Sequence, residues 1–263
     1  MTTDEVLLDL ARTDPGHVVV RPGMAGVGPG WRPAAELADP DAWRDIACDY
    51  AADLGSSSPV VGGSCALQGY AWRVATLSIA RWVVSGRGVP LESTDLRVKL
   101  RSGRTVGLAV GRIDDVRAPE SVEDLAGDLV RHLEPVVAAS RTVSRLTPKV
   151  AWGNVGSAVA SAWRQMHAAS DPASRSHVLA AAERFLDVPD WPWDEPPVVW
   201  QSAHGGLRYR RRTCCLIRLA PDHAACTSCS DLTPAENEQR WRENEQRRAR
   251  PPRILVGAHV THE

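Results

Sequence analysis

The chain has 263 residues, of which 43% are hydrophobic and 24% charged, and its formal net charge is −1. This composition is typical of a globular protein and excludes intrinsic disorder, collagen and a coiled coil as the main organisation. A net charge near zero also disfavours a nucleic-acid binder, which usually carries a large basic excess. The six cysteines are too few for a disulfide-knit scaffold of this length but are enough for one metal site.

Apolar periodicity and capping residues predict a mainly α-helical fold with minor β structure (α+β). A capping Asp or Thr followed by proline marks four predicted helix starts, at Asp39-Pro40, Thr147-Pro148, Asp171-Pro172 and Thr233-Pro234. The predicted helices span 3–12, 40–54, 65–85, 121–140, 148–169, 173–186 and 234–249. Alternating residues around a Gly-containing turn predict one β-hairpin over 96–110, and the Gly- and Pro-rich residues 13–36 predict a long surface loop.

Residues 187–206 are rich in Pro, Gly and Trp and predict a boundary between two parts of the chain. Residues 1–190 form the predicted helical body with its hairpin, and residues 191–263 form a small C-terminal module. Trp191, Trp193 and Trp200 lie at this junction, where packing against the body is a simpler role for them than lining a ligand pocket.

The N-terminal residues lack the basic start and apolar stretch of a signal peptide. The longest apolar run, residues 65–84, contains Arg73 and Arg81 and is a poor membrane helix. We therefore expect a cytoplasmic protein with no transmembrane segment, while peripheral association with a membrane stays open. In a reducing cytoplasm, clustered cysteines favour metal or redox chemistry over disulfides.

Four cysteines follow the pattern Cys214-Cys215-x10-Cys226-x2-Cys229. Such soft ligands select zinc, copper(I) or an iron–sulfur cluster. The two-residue spacer lets Cys226 and Cys229 grip one metal, whereas adjacent residues of a strand point to opposite faces, so the backbone must kink at Cys214 and Cys215. A zinc ribbon normally uses two Cys-x-x-Cys knuckles, and the adjacent pair therefore favours a 2Fe–2S cluster, whose ligands spread over two irons.

This cysteine pattern resembles that of the FhuF-like ferric siderophore reductase family. Trp152-Gly153-Asn154 resembles a short signature of the family, and the segment Leu67-Gln68-Gly69-Tyr70-Ala71-Trp72-Arg73 resembles its actinobacterial branch. The resemblance implies a 2Fe–2S cluster held by Cys214, Cys215, Cys226 and Cys229, which would also form the catalytic centre. It implies one-electron reduction of siderophore-bound iron(III), with release of iron(II) in the cytoplasm. Because no dinucleotide fingerprint is recognisable, we expect an external electron donor such as a ferredoxin or a flavoprotein.

Four arginines, Arg208, Arg210, Arg211 and Arg212, immediately precede the cysteine motif. They could dock an anionic ferric complex or an acidic electron donor, or they could form a solvated basic strand edge. His204 and His223 flank the motif, but four cysteines satisfy a cluster without them. Cys48 and Cys65 occupy predicted helices, where we expect buried, inert side chains.

Two rival functions stay open. One is a non-catalytic siderophore- or partner-binding protein that carries a structural zinc module with four cysteine ligands. The other is a siderophore-biosynthesis enzyme, which is disfavoured because the chain is short for such a synthetase and shows no recognisable ATP site.

Overall fold

A computed structural model describes residues 18–20, 30–92, 96–110, 118–189, 191–193, 195–202 and 205–248. The predicted helix 3–12 lies outside these residues. The described helices are α1 (Pro40–Asp53), α2 (Pro59–Ser85), α3 (Val122–Ser144), α4 (Pro148–Ala169), α5 (Arg175–Leu186) and α6 (Pro234–Arg248). Short 3-10 helices span Ala34–Ala38 and Ile217–Leu219. The fold is mainly α with minor β structure, as the sequence predicts.

The strands form two small sheets. β1 (Val18–Val20), β2 (Trp31–Pro33), β3 (Leu96–Arg101) and β4 (Arg104–Val110) make one sheet in the order β1-β4-β3-β2, in which only β1 and β4 are parallel. β5 (Val198–Gln201) and β6 (Leu207–Arg210) form a separate antiparallel hairpin. The predicted hairpin is confirmed, and its turn places both Ser102 and Gly103 at positive φ, as a tight two-residue turn requires.

Helix α2 lies at the centre of the molecule and packs against α1, α3 and α4. Its side chains are buried on most faces, including Leu67, Tyr70 and Val74, which explains the long apolar run in the sequence. The buried core continues into the C-terminal part of the chain through Leu207 and Trp241. Strand β6, which leads into the cysteine motif, packs on α4.

Several boundaries differ from the sequence prediction. Helix α2 begins at Pro59 rather than at 65, because Pro59 takes the first helical position after Ser58. Helix α3 continues through Pro135 to Ser144 instead of ending near 140. Asp171 accepts hydrogen bonds from the backbone of a turn, and α5 begins only at Arg175.

The expectation of one hairpin and of a loop over 13–36 was wrong. β5 and β6 form a second hairpin, and β1 and β2 lie within the region predicted as loop. These strands are only three or four residues long, too short for an alternating pattern to stand out.

The aromatic residues near the predicted boundary pack inward. Trp191 is buried, its ring stacks on Trp193 with centroids 4.1 Å apart, and its indole N–H donates to the Phe185 carbonyl. Trp200 is half-buried on β5. Contacts of this kind join residues 191–248 to the helical body, and the division at 190/191 stays a prediction. None of the described helices is long and apolar enough to cross a membrane.

Candidate metal centre

The cysteine motif forms a loop that leaves strand β6, turns sharply and folds back on itself. Leu216, directly after the adjacent cysteines, has a φ of 66°, and the chain then enters the short 3-10 helix. On the return, the Cys229 N–H donates to the Cys226 carbonyl at 3.1 Å and closes the Cys-x-x-Cys turn. This sharp turn lies one residue after the adjacent cysteines, and the predicted kink at Cys214 and Cys215 stays a prediction.

The loop brings the four cysteines together as two pairs. The sulfurs of Cys214 and Cys229 lie within 4.8 Å of each other and of an Asp231 carboxylate oxygen, a grouping that could hold a metal ion. Cys215 and Cys226 form the second pair, in which the two side chains are hydrogen-bonded. Cys229 also lies in the electrostatic field of both Cys214 and Cys226. The two pairs therefore lie close enough to interact electrostatically.

Each of the four sulfurs has a hydrogen-bond partner two residues further along the chain. The Leu216 N–H donates to Cys214 Sγ at 3.3 Å, the Ile217 N–H donates to Cys215, and the Asp231 N–H donates to Cys229. The fourth partner is the Ser228 hydroxyl, whose Oγ lies 3.9 Å from Cys226 Sγ, and either group can be the donor in this pair. Donors aimed at sulfur stabilise thiolates, the form in which cysteine binds metals.

The Cys215–Cys226 pair shares its protons unequally. The Cys226 thiol donates to Cys215, which lowers the pKa of Cys215 to about 7 despite its burial. The same hydrogen bond, together with burial, raises the pKa of Cys226. Burial is also the main cause of the raised pKa of Cys229. The Cys215 thiolate is therefore accessible near neutral pH, whereas deprotonation of Cys226 and Cys229 requires the charge of a bound metal.

Two residues of helix α2 contact the main chain of the cysteine loop. The Ser64 hydroxyl donates to the Cys215 carbonyl at 2.8 Å, and Cys65 Sγ lies 3.8 Å from the same oxygen. Burial raises the pKa of Cys65 to about 12, so this thiol stays neutral beside the motif. The contacts fix the main chain of Cys215 against the helical body.

A buried polar network joins the motif to both α2 and α4. Asn154 Nδ2 donates to Ser64 Oγ at 2.8 Å, while its Oδ1 accepts from Arg211 at 2.5 Å. The Arg211 guanidinium also donates to Gln68 Oε1 at 3.0 Å, and the backbone N–H of Arg211 donates to the Ser228 carbonyl at 3.0 Å. Asn154 and Gln68 belong to the two segments that resemble the reductase family, and both therefore meet the cysteine loop through Arg211.

Gly153 has a steric role in the same contact. A methyl group at this position of α4 would collide with the side chain of Thr213, the residue before Cys214. Glycine therefore lets the cysteine loop approach α4 closely enough for Asn154 to reach Arg211.

The structure corrects the expectation that the four arginines form one docking patch. Arg208 and Arg211 are 0% and 1% exposed, so a docking partner cannot reach their guanidinium groups. Arg208 pairs with Glu238 and Glu245 of α6, and Arg210 donates to the Ser230 and Leu232 carbonyls. Only Arg212 is well exposed, and its nearest carboxylate is Glu195 at 3.9 Å.

The two cysteines outside the motif differ from each other. Cys65 is buried as predicted, but it lies beside Cys215 rather than remote from the site. Cys48 is exposed, which corrects the expectation of burial, because it occupies the solvent-facing side of α1. His223 lies on the loop surface, where its Nδ1 is 2.7 Å from the Pro221 carbonyl, and His204 lies outside the described residues.

Sequence reasoning missed three residues of the site, Ser64, Arg218 and Asp231. Asp231 follows Cys229 by two positions, and Arg218 pairs with it at 2.7 Å and also hydrogen-bonds the Cys214 side chain. Proximity to the motif could have indicated both. Ser64 had no such signal, because 151 positions separate it from the Cys215 carbonyl that it contacts.

Comparisons of this chain with protein-family models, with curated proteins and with solved structures give no match.

Proposed function

We propose that this protein is a ferric siderophore reductase of the FhuF-like type, with a 2Fe–2S cluster held by Cys214, Cys215, Cys226 and Cys229. The observation that carries the proposal is the convergence of three separate segments. Gln68 and Asn154, from the two helical segments that resemble the family, both hydrogen-bond Arg211, three residues before the cysteine motif. Segments that resembled the family only in sequence thus contact one another at one site.

The residues present fit such a cluster. Four sulfurs in two pairs match two irons with two thiolates each, and each sulfur has a hydrogen-bond partner in the residue two positions later. A bound 2Fe–2S cluster would supply a one-electron couple.

Each pair of cysteines contains one buried and one partly exposed member. Cys215 and Cys229 are 6% and 2% exposed, so little water reaches these two sulfurs. Cys214 and Cys226 are partly exposed, so the site has an edge near the surface. Reduction of a bulky ferric complex needs such an exposed edge, since the siderophore itself is too large to enter a sealed core.

The substrate chemistry follows from the metal it carries. Siderophore oxygens are hard donors that hold iron(III) far better than iron(II). Iron(III) in the complex gains one electron, becomes iron(II) and is held more weakly by the same oxygens. The electron is supplied by an external donor, for which a ferredoxin or a flavoprotein is suited. Exposed Arg212, near the motif, is the residue best placed to attract an anionic complex or donor.

A structural zinc site is the second candidate, and one observation favours it. Cys214, Cys229 and Asp231 place three ligand atoms within 4.8 Å of one another, as one mononuclear ion requires. In that case the chain would be a binding protein whose C-terminal loop is fastened by zinc.

Metal analysis of protein purified without oxygen separates the two candidates. The reductase proposal predicts a reddish-brown protein with about two irons and two sulfides per chain. A panel of ferric siderophores, added to the chemically reduced protein with a spectroscopic iron(II) trap, should then give iron(II). A Cys214→Ser variant is the matched control and should release none. A colourless protein that contains only zinc would overturn the proposal.

A further inference from the structure

The charge of Arg211 is unusual for a buried side chain. Arg211 is 1% exposed, and its guanidinium donates to two neutral amide oxygens, Gln68 Oε1 and Asn154 Oδ1. Within the part of the chain that the structure describes, no carboxylate pairs with it. A guanidinium stays protonated in proteins, so this position holds a full positive charge in the interior.

The fully buried Arg208 provides an internal comparison. Three residues earlier in the chain, it pairs with the two carboxylates of Glu238 and Glu245. A buried charge is costly unless it is compensated by an opposite charge, and Arg208 follows that rule. Arg211 requires the same compensation from another source.

Arg211 is tied to the cysteine loop, because its backbone N–H donates to the carbonyl of Ser228, which lies between Cys226 and Cys229. Its charge acts on two thiols of the site, Cys215 and Cys226, and on the neighbouring Cys65. Four metal-bound thiolates carry a net negative charge, because their four negative charges exceed the two positive charges of either a zinc ion or an oxidised 2Fe–2S core. A loaded metal centre would supply the negative charge that Arg211 lacks among the described residues.

We propose that Arg211 is the internal counter-ion of the metal–thiolate centre, held in place by Gln68 and Asn154, and that it raises the reduction potential of the bound cluster. The inference about potential rests on the proposed function, whereas the inference about charge balance requires only that the cysteines bind a metal. One-electron reduction adds a negative charge to the centre, and a fixed positive charge nearby favours the form that carries more negative charge. Arg211 is a positioning residue in this scheme, since it acts through the ligands.

Three variants of the full-length, metal-loaded protein test the charge specifically. Arg211→Gln removes the charge, and Gln68→Glu keeps Arg211 while giving it a carboxylate partner of the same shape as the amide it replaces. Arg212→Gln, an exposed neighbour, makes the same change in net charge as Arg211→Gln and is the matched control. The midpoint potential is measured by an EPR-monitored redox titration, with iron and sulfide content determined on each sample.

We expect Arg211→Gln and Gln68→Glu each to lower the equilibrium constant for reduction at least tenfold, about 59 mV for a one-electron couple, and Arg212→Gln to change it far less. A merely structural Arg211 predicts that Arg211→Gln, loaded with the same iron and sulfide as wild type, shifts the potential no more than Arg212→Gln does, whereas a carboxylate at position 68 lowers the potential partly through its own charge. An unchanged potential in Gln68→Glu would overturn the proposal even if Arg211→Gln fails to fold.

The wild-type metal analysis keeps the two proposals separate. If wild-type protein binds zinc and no iron, the reductase proposal fails, and the same variants are compared by zinc affinity in a chelator competition. Arg211→Gln and Gln68→Glu should then each bind zinc at least tenfold more weakly than wild type and Arg212→Gln. Equal zinc affinities would overturn the counter-ion role.

Discussion

Thr213 lies against Gly153 of α4 so closely that a β-carbon at position 153 would overlap its side chain. This contact sets the distance between the helix and the first cysteine of the metal site. The hydrogen bonds from Asn154 to Ser64 and from Arg211 to Asn154 depend on that distance. A steric property of one glycine therefore controls how the cysteine loop docks.

Replacing Gly153 by Ala should destabilise the protein by about 1–3 kcal/mol and lower its metal content, because Thr213 and the cysteine loop must move away from α4. Gly69→Ala in α2 is the matched control. A methyl there meets only the Arg73 side chain at 3.7 Å, so stability should rise by about 0.5–1 kcal/mol through higher helix propensity. Denaturant unfolding and metal analysis measure both effects. Equal stabilities of the two variants would show that the Gly153 contact is unimportant.

Serine substitutions of the cysteines should divide them into two classes. Changing Cys214, Cys215, Cys226 or Cys229 should abolish or shift the metal-centre absorption spectrum, since a ligand is lost. Cys48→Ser and Cys65→Ser should retain it, because Cys48 is exposed on α1 and Cys65 is a neutral thiol beside the motif. An unchanged spectrum in Cys214→Ser would refute the ligand assignment, and Asp231→Asn tests whether the nearby carboxylate is a ligand.

The Ser64 hydroxyl should contribute more to the free energy of unfolding than the hydroxyl of a serine with only a local hydrogen bond. Ser64→Ala leaves the buried Cys215 carbonyl without this donor and should cost about 1–3 kcal/mol of unfolding free energy. Ser170→Ala removes only a local bond to the Met166 carbonyl and should change stability by no more than about 0.5 kcal/mol. Chemical denaturation of both variants, with metal content measured in parallel, gives the comparison. If both variants lose the same stability, Ser64 does not anchor the loop.

Charge reversal at Arg212 should slow electron transfer without loss of the metal centre, because the exposed guanidinium would attract an anionic partner over long distance. We expect a several-fold lower rate at low ionic strength and a weaker dependence of the rate on salt. Arg184→Glu, the same charge reversal at a more exposed arginine of α5, should leave both unchanged. Stopped-flow kinetics at several salt concentrations test this, and an Arg212→Glu variant with wild-type kinetics would exclude a docking role.

His132 should make the fold sensitive to acid. Burial lowers its pKa from 6.5 to about 4, while the Tyr70 hydroxyl oxygen lies 2.7 Å from its Nε2. Below pH 6.5, His132 is protonated in the unfolded chain but stays neutral in the folded chain. The free energy of unfolding therefore falls as the pH drops toward 4, by at most about 3 kcal/mol. In the His132→Gln variant, the free energy of unfolding should fall less between pH 6.5 and 4 than it does in wild type. If the unfolding free energies of wild type and His132→Gln changed with pH in the same way, His132 would not be the source of the acid sensitivity.

The helical architecture was predictable because its signals are local. Asp39, Thr147 and Thr233 each cap a helix that starts with proline, and their side chains accept the expected backbone hydrogen bonds. The capping box between Thr233 and Glu236 forms as the sequence indicates. The hairpin over 96–110 was equally readable, whereas β1, β2, β5 and β6 were too short to show a period.

The cysteine site was predictable only in part. Spacing alone grouped Cys214, Cys215, Cys226 and Cys229, since residues close in the chain are constrained to remain close in space. The arginines beside them were misjudged because sequence reports charge but not burial. Arg208 and Arg211 turn inward, and Arg212 alone stays well exposed.

Local sequence patterns are enough to specify a mainly helical protein with one soft-ligand site near its C-terminal end, because helix periodicity, capping and cysteine spacing all act over short chain distances. The surroundings of that site depend on tertiary packing instead. The contacts of Ser64, Gln68 and Asn154 with the cysteine loop join positions more than 50 residues apart, and such pairings follow from packing rather than from local pattern. For the same reason, only packing could place the buried Arg211 guanidinium near Cys215 and Cys226 without a carboxylate partner among the described residues.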